Sequence, residues 1–282
     1  MNQQQLDIRE QQKASWDKFS PGWKKWNAFT MNFLKPMGDE IITMLTLKSS
    51  DHVLDIATGT GEPGLTIASI VHKGKVTSID LSPGMIKLAD ENAKAKGLTN
   101  YSAAVADVCD LPFADNTFDA ISCRMGFMFF PDMSLAAKEM NRVLKQGGRM
   151  ATSVWGGPEK NEWITAMMGT MKKYIDMPAH PPGSPGMFRC AAPGLMTGLL
   201  QEAGFKNLKE KKIESRVQYE NANHYWTMMN EVAAPVVAVL SQATEETKAK
   251  IKNDLFQILE EKTSPNGVLS LPFDATIFYG EK

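Results

Sequence analysis

Apolar runs alternate with helical stripes from about Ser50 to Trp155. Val53–Ala57 (VLDIA) is a short apolar run that ends in a glycine turn, the mark of a buried strand. Leu65, Ile67, Ala68, Ile70 and Val71 then recur on one helical face, and Gly74 stands where that helix should end. Lys75–Asp80 (KVTSID) reads as a second strand. Ser82 offers an N-cap, with Pro83 at the first helical position, and Met85, Leu88, Ala89 and Ala93 carry that helix towards Gly97. Tyr101–Asp107 and Phe118–Arg124 read as the third and fourth strands. A helix with Leu135, Met140, Val143 and Leu144 on one face runs to Gly147, and Arg149–Trp155 is the fifth strand. Strands alternating with helices of this length predict a doubly wound α/β fold, its mostly parallel sheet covered on both faces.

The rhythm breaks after Trp155. Residues 156–186 are rich in Pro, Gly and Met, with PAHPPGSPG (Pro178–Gly186) at the end, and predict a loop or lid. A helix at Pro193–Ala203 ends at Gly204, and a polar strand follows over Lys206–Tyr219. Helical segments are expected near Asn223–Leu240 and Glu245–Lys262, then an alternating strand at Ala275–Tyr279. Residues 156–186 and 221–240 read as insertions that together cap the carboxyl ends of the strands, where open α/β sheets bind ligands.

Composition narrows the class. With 282 residues, 43% of them hydrophobic, the chain has material for one large domain or a domain with an added lobe. Lys and Arg number 31 against 32 Asp and Glu, which gives no basic footprint for nucleic acid. The densest charge run, Lys209–Lys212, reads as a solvated strand edge. Cys109, Cys123 and Cys190 are odd in number and lack metal-ligand spacing. They disfavour a disulfide scaffold or a zinc site and suit a reducing cytoplasm. The polar start MNQQQLDIREQQK is no signal peptide, and the longest apolar run, Val232–Leu240, is too short for a membrane span.

Gly59-Thr60-Gly61-Glu62-Pro63-Gly64 matches G-x-G-x-x-G between a strand and a helix, a tight turn whose backbone a ligand can approach closely. Asp80 ends the next strand, where a carboxylate can accept from both hydroxyls of a ribose. By spacing alone this is also the dinucleotide fingerprint. Three neighbours favour S-adenosylmethionine instead. Asp55, inside the first strand, suits an ammonium group better than a pyrophosphate. Asp107, at the end of the third, can accept from an adenine amino group. Glu62 lies where a pyrophosphate would want positive potential.

With these residues in place, the sequence resembles the class I S-adenosylmethionine-dependent methyltransferases. VLDIATGTGEPG resembles their first motif, SIDLSPGMI the acidic motif of the second strand, and ADVCDLPFADNTFDAISCRMGFMFFPD the adenine-binding and fourth-strand motifs. LKQGGRMATSVW resembles the helix–strand junction that follows. The likeness is strong over Val53–Trp155 and points to the small-molecule branch that includes the ubiquinone and menaquinone biosynthesis methyltransferases. It implies a Rossmann-like fold with a seven-stranded sheet and a reversed final hairpin. Residues 1–49 would be a helical segment closing over the cofactor, residues 50–155 the cofactor-binding core, and residues 156–282 the remaining strands with the inserted helical cap. It further implies that Ala57, Thr58, Gly59, Thr60 and Gly61 line the methionine part of the cofactor and that Asp55 helps hold its amino group. Asp80 would bind the ribose, Leu81 and Met85 would flank the adenine, Asp107 and Val108 would meet the adenine edge, and Cys123 and Arg124 would lie beside the methionyl end.

A sulfonium is an activated methyl donor, so the protein has mainly to align nucleophile, methyl and sulfur and to exclude water. A hydroxyl or acidic carbon acceptor also needs a base. Several members of the family carry a histidine after the fourth strand, whereas Met125–Phe130 here holds no titratable group. His180, His224 and Tyr174 remain as weak catalytic candidates, each more simply a surface residue. His52 and His72 read as structural or exposed. Met167, Met168, Met171, Met177, Met187, Met228 and Met229 fall in the cap and suit a pocket for an irregular apolar acceptor, or else fill gaps in a core. Trp16, Phe19, Trp23, Trp26 and Phe29 are spaced as one helix whose aromatic face could stabilise a sulfonium. The leading reading is methyl transfer to a small, partly apolar molecule, with no metal. The competing readings are a non-catalytic S-adenosylmethionine-binding module, an NAD(P)-dependent oxidoreductase, and a metalloid or thiol methyltransferase using the cysteines. Oligomeric state is open.

Overall fold

A computed structural model describes residues 1–177 and 183–282. Two helices, α1 (Gln3–Lys25) and α2 (Asn27–Leu45), precede the sheet. The helical ladder continues between them: Trp26 N–H donates to Gly22 C=O and Thr30 N–H to Trp26 C=O, each at 2.9 Å. The core then alternates β1 (His52–Ile56), α3 (Gly64–Ile70), β2 (Lys75–Asp80), α4 (Pro83–Ala95), β3 (Tyr101–Val105), β4 (Phe118–Arg124), α5 (Met133–Val143) and β5 (Leu144–Trp155). After it come α6 (Glu162–Met171), α7 (Leu195–Glu202), β6 (Lys206–Tyr219), α8 (Ala222–Val232), α9 (Ala234–Leu240), α10 (Glu245–Glu260) and β7 (Leu269–Glu281).

The seven strands lie in the order β3-β2-β1-β4-β5-β7-β6. The first five run parallel, and β7 is antiparallel to both β5 and β6. The sheet is therefore the doubly wound, seven-stranded, mostly parallel one expected, with its reversed final hairpin. Val53, Leu54 and Ile56 are buried in the central strand, as its continuous apolar run requires. The order reverses between β1 and β4, the switch point beyond whose carboxyl ends open sheets of this kind form their ligand crevice.

The elements depart from expectation in three places. The stretch read as a loop over 156–186 contains α6. Trp163, Ile164, Met167 and Met171 recur at helical spacing and are buried, a signal masked by the Pro and Gly that follow. β7 runs from Leu269 to Glu281, well beyond Ala275–Tyr279. Pro272 and Asp274 interrupt the alternation, but Asp274 is held by Asn161, whose Nδ2 donates to Oδ1 at 2.8 Å. β5 begins at Leu144 rather than Arg149. A register shift against β4, with Gly147 at φ +72°, absorbs the Gly147-Gly148 turn.

Candidate active site

The turn after β1 lies in the crevice. Ala57, Gly59 and Gly61 take φ values of +54°, +55° and +113°, and the last two explain the glycines. A Cβ on Gly61 would come within 2.7 Å of Leu65 Cδ1, whereas Gly59 faces open space. Thr58 N–H donates to Ile79 C=O at 3.0 Å, tying the turn to β2. Asn92 Nδ2 donates to Thr60 C=O at 2.8 Å, tying it to α4.

Asp55 is fully buried beneath the turn. Its two oxygens accept from the hydroxyls of Thr58 and Ser122, both at 2.6 Å. Burial pushes its carboxyl up to about 6, although both hydroxyls and the nearby Arg124 favour the ionised form. Gly64 is needed here, since a Cβ would sit 2.7 Å from Asp55 Oδ2.

Asp80 closes the other side of the turn. Its Oδ2 accepts from Gly59 N–H at 3.0 Å and its Oδ1 from Ser82 N–H at 2.9 Å. These bonds aim the carboxylate along the crevice and leave each oxygen a further lone pair. At the end of β3, Asp107 Oδ1 accepts from Cys109 N–H at 2.8 Å. Its Oδ2 is buried without a hydrogen bond; the Arg9 guanidinium stands 3.6 Å away. A buried acceptor with no donor is what an amino group in this crevice would satisfy. Leu81 is half-buried on the rim, while Met85 and Val108 are buried behind it.

Arg124 ends β4 and turns under α2. Its Nη2 donates to Met31 Sδ at 3.2 Å and its Nη1 reaches Leu34 C=O at 3.5 Å. Burial pushes the guanidinium down to about 10, against the pull of Asp55 and Glu62. Cys123 does not present its thiol to the crevice. The side chain is fully buried, and a Cβ on Gly126 would lie 2.7 Å from its Sγ. Burial pushes Cys109, Cys123 and Cys190 all up to about 12, so none is a ready nucleophile. Glu62 accepts from Thr66 N–H at 3.1 Å, so the head of α3 is already met by a carboxylate where a pyrophosphate would sit.

The weak catalytic candidates do not gather here. Tyr174 is exposed and its hydroxyl donates to Asp254 of α10 at 2.7 Å. His224 stacks on Trp26 at 5.0 Å and meets Phe29 edge-on, and its Nδ1 accepts from Glu220 N–H at 3.0 Å. His180 lies outside the described residues. Of the cap methionines, Met167, Met171, Met228 and Met229 are buried core, filling gaps rather than lining a pocket.

Sequence reasoning missed what α1 and α2 bring. Asp17 Oδ1 accepts from Ser82 Oγ at 3.0 Å and Gly84 N–H at 2.7 Å. Gln5 Nε2 donates to Asp132 at 2.9 Å, and Trp16 meets Phe129 edge-on at 5.2 Å. Together with Arg9 beside Asp107, these contacts lay α1 across the rim of the crevice. The aromatic spacing of α1 was a signal for a packed helix, but nothing local marks Asp17, Arg9 or Met31.

A methyltransferase-domain family model matches residues 53–148, the span that carries the glycine turn, Asp80, Asp107 and Arg124. Over this span the chain is similar to that methyltransferase domain. The demethylmenaquinone methyltransferase of Alkalihalophilus pseudofirmus is 31% identical over 45% of this chain and 50% of its own length. That of Listeria monocytogenes is 27% identical over 68% of this chain and 86% of its own. The chain thus spans about half the length of the first relative and more of the second. The YcgJ protein of Bacillus subtilis has the same fold, with a TM-score of 0.59 at 21% identity over 87% of this chain and 97% of that one. No described helix is long and apolar enough to cross a membrane.

Proposed function

We propose that the crevice holds S-adenosylmethionine and that its methyl group passes in line to a small, partly apolar acceptor. The observation that carries this reading is the row of three carboxylates around one glycine turn. Asp55 lies beneath the turn, Asp80 is bonded to Gly59, and Asp107 keeps a buried oxygen free of any hydrogen bond. They match an ammonium, a ribose diol and an adenine amino group in the order in which the cofactor presents them. Ala57 to Gly61 would line the methionine part, Leu81 and Met85 the adenine, and Val108 its edge. Cys123 would contribute backbone rather than its thiol. When bound, the cofactor supplies an electrophilic methyl group, so the protein's part is to orient and to exclude water.

The helices α1 and α2 serve as the cover. Asp17, Arg9 and Gln5 pin α1 to the rim at three points, and Trp16 and Phe129 wall the space above β4. Residues 156–177 and 221–240 form the outer wall. The acceptor enters a space bounded by apolar and aromatic side chains and without a titratable base in Met125–Phe130. It therefore ionises readily on its own, as an acidic hydroxyl, enol or thiol does. The demethylmenaquinone methyltransferases, by their name, act on a quinone; an apolar quinol is one acceptor of this type. Three free, buried thiols suit a reducing cytoplasm.

The test is calorimetric titration with S-adenosylhomocysteine and, in parallel, with NADH. Micromolar binding of S-adenosylhomocysteine, lost in Asp80→Ala, is the expected result. Binding of NADH alone would overturn the reading.

A further inference from the structure

Arg189 brings a positive charge to the segment that follows β4. The chain around Gly186–Cys190 runs beside Met128–Met133. Gly186 N–H donates to Met128 C=O at 3.1 Å, and Arg189 Nη1 donates to Phe130 C=O. The ring of Phe130 in turn reaches the glycine turn, since its Cζ and Ala57 Cβ would both stand 2.9 Å from a Cβ on Gly126. One residue, Phe130, thus separates the guanidinium from the turn.

Part of that guanidinium is unanswered. Arg189 is half-buried, and its Nε is buried and donates to nothing, which is costly. Burial pulls the group below the ordinary arginine value, and Cys190 and Asp132 oppose it. Neither neighbour meets the charge. Cys190 stays neutral, its own thiol pushed by burial up to about 12. Asp132 spends both oxygens elsewhere, Oδ1 on Leu135 N–H and Oδ2 on Gln5 Nε2, each at 2.9 Å. A second N–H on this wall is in the same position. Trp23 Nε1 is buried without a partner, and its ring stands 6.0 Å from that of Trp16, which meets Phe129. The wall after β4 thus offers unmet donors, while Met125–Phe130 offers no base.

We infer that Arg189, through Nε, holds the ionised oxygen of the methyl acceptor, a phenolate or enolate. This rests on the methyl-transfer reading of the crevice and names the group that stabilises the ionised acceptor. A phenol or enol gives its proton to water, and the guanidinium favours the anion left behind. As the bond from acceptor to methyl forms, the bond from methyl to sulfur breaks. The negative charge and the sulfonium charge cancel, leaving a neutral thioether and a neutral methylated product. The charge that retains the acceptor therefore does not retain the product. A phosphate dianion fits this seat less well, because Asp132 stands nearby and Nη1 is spent on Phe130 C=O.

The experiment uses the full chain saturated with S-adenosylhomocysteine, which carries no sulfonium, so that any effect on an anion comes from the protein. The probes are 4-nitrophenol, whose ionised form is coloured, and 4-nitroanisole, its neutral counterpart. Colour against pH reads the ionisation of the bound phenol, and calorimetry reads affinity. In the wild-type protein the bound phenol should ionise about one pH unit lower than the free phenol. Arg189→Met should abolish that difference and weaken the phenolate about tenfold or more. It should leave the anisole and S-adenosylhomocysteine each within about twofold. Arg189→Gln keeps a donor for Phe130 C=O and should show the same selective loss if Arg189→Met fails to fold. Arg189→Lys, which keeps the charge, should recover part of it. A wild-type protein that binds S-adenosylhomocysteine but leaves the phenol's ionisation unchanged would overturn the seat and leave the cofactor reading intact. Equal losses for phenolate and anisole in the variants would do the same. Failure to bind S-adenosylhomocysteine at all would remove the cofactor reading, and the seat with it.

Discussion

Asp17 and Gly84, sixty-seven positions apart, are joined by a 2.7 Å hydrogen bond from the backbone N–H of Gly84 to Asp17 Oδ1. The same oxygen accepts from Ser82 Oγ, itself the N-cap of α4. One helix thus places a negative charge at the amino end of another, where the dipole favours it. The contact lies two residues from Asp80. Asp17→Ala should cost about 0.5–2 kcal/mol of stability, as loss of a cap does. It should also loosen α1 from the rim and weaken S-adenosylhomocysteine severalfold. Thermal melting and calorimetry measure the two effects. A loss of stability with unchanged affinity would make α1 a buttress rather than a cover.

If Asp55 faces the cofactor's ammonium, as proposed, cofactor affinity should depend on pH. Its carboxyl titrates at about 6 in the folded chain against the ordinary 3.8. The folded state therefore holds this proton more tightly than the unfolded one. The stability from this group is complete below the ordinary value and is lost as pH rises through about 6. An ammonium bound beside the ionised carboxylate restores part of that loss. Affinity for S-adenosylhomocysteine should therefore rise between about pH 5 and pH 7 and then level off. Asp55→Asn should bind weakly with no such rise. A flat profile in the wild-type protein would detach Asp55 from the ammonium.

Asp80 has two duties that a pair of variants separates. It fixes the turn through Gly59 N–H and the head of α4 through Ser82 N–H, and it faces the crevice. Asp80→Ala removes both and should lower the melting temperature as well as abolish measurable nucleoside binding. Asp80→Asn keeps an acceptor for one backbone donor. It should melt closer to the wild-type protein yet bind S-adenosylhomocysteine about tenfold or more weakly, since a charge-assisted acceptor is replaced by a neutral one. Equal affinity in Asp80→Asn would place the ribose elsewhere.

The parallel half of the fold was legible because β1 to β5 are short apolar runs punctuated by Gly, Ser-Pro and Asp, and local patterns of that kind survive packing. The strand β7 was half hidden: Pro272 and Asp274 look like breakers until Asn161, more than a hundred positions away, is seen to satisfy the aspartate. α6 was hidden by its proline-rich neighbour. In the site, Asp55, Asp80 and Asp107 could be named from spacing because each ends or sits in a strand next to a turn. The contacts of Asp17 and Arg9 could not, because they depend on how a helix lies across the sheet, which no local spacing encodes.

His224 gives the sharpest test of a transfer that relies on no protein base. Its ring is stacked on Trp26 and its Nδ1 is engaged by Glu220 N–H, so it acts as an aromatic spacer at the start of α8. His224→Phe keeps the ring and removes both nitrogens. Turnover of an acceptor that ionises on its own should then stay within about threefold of the wild-type rate, and its pH profile should keep the acceptor's own ionisation. A general base typically contributes 10²–10⁴-fold, so the two outcomes are well separated. A hundredfold loss, with the rising limb of the profile gone, would restore His224 as the base and would require the cap to bring it over the crevice. Tyr174→Phe is the companion variant. It loses only an exposed bond to Asp254, and it should leave both the rate and the profile where they were.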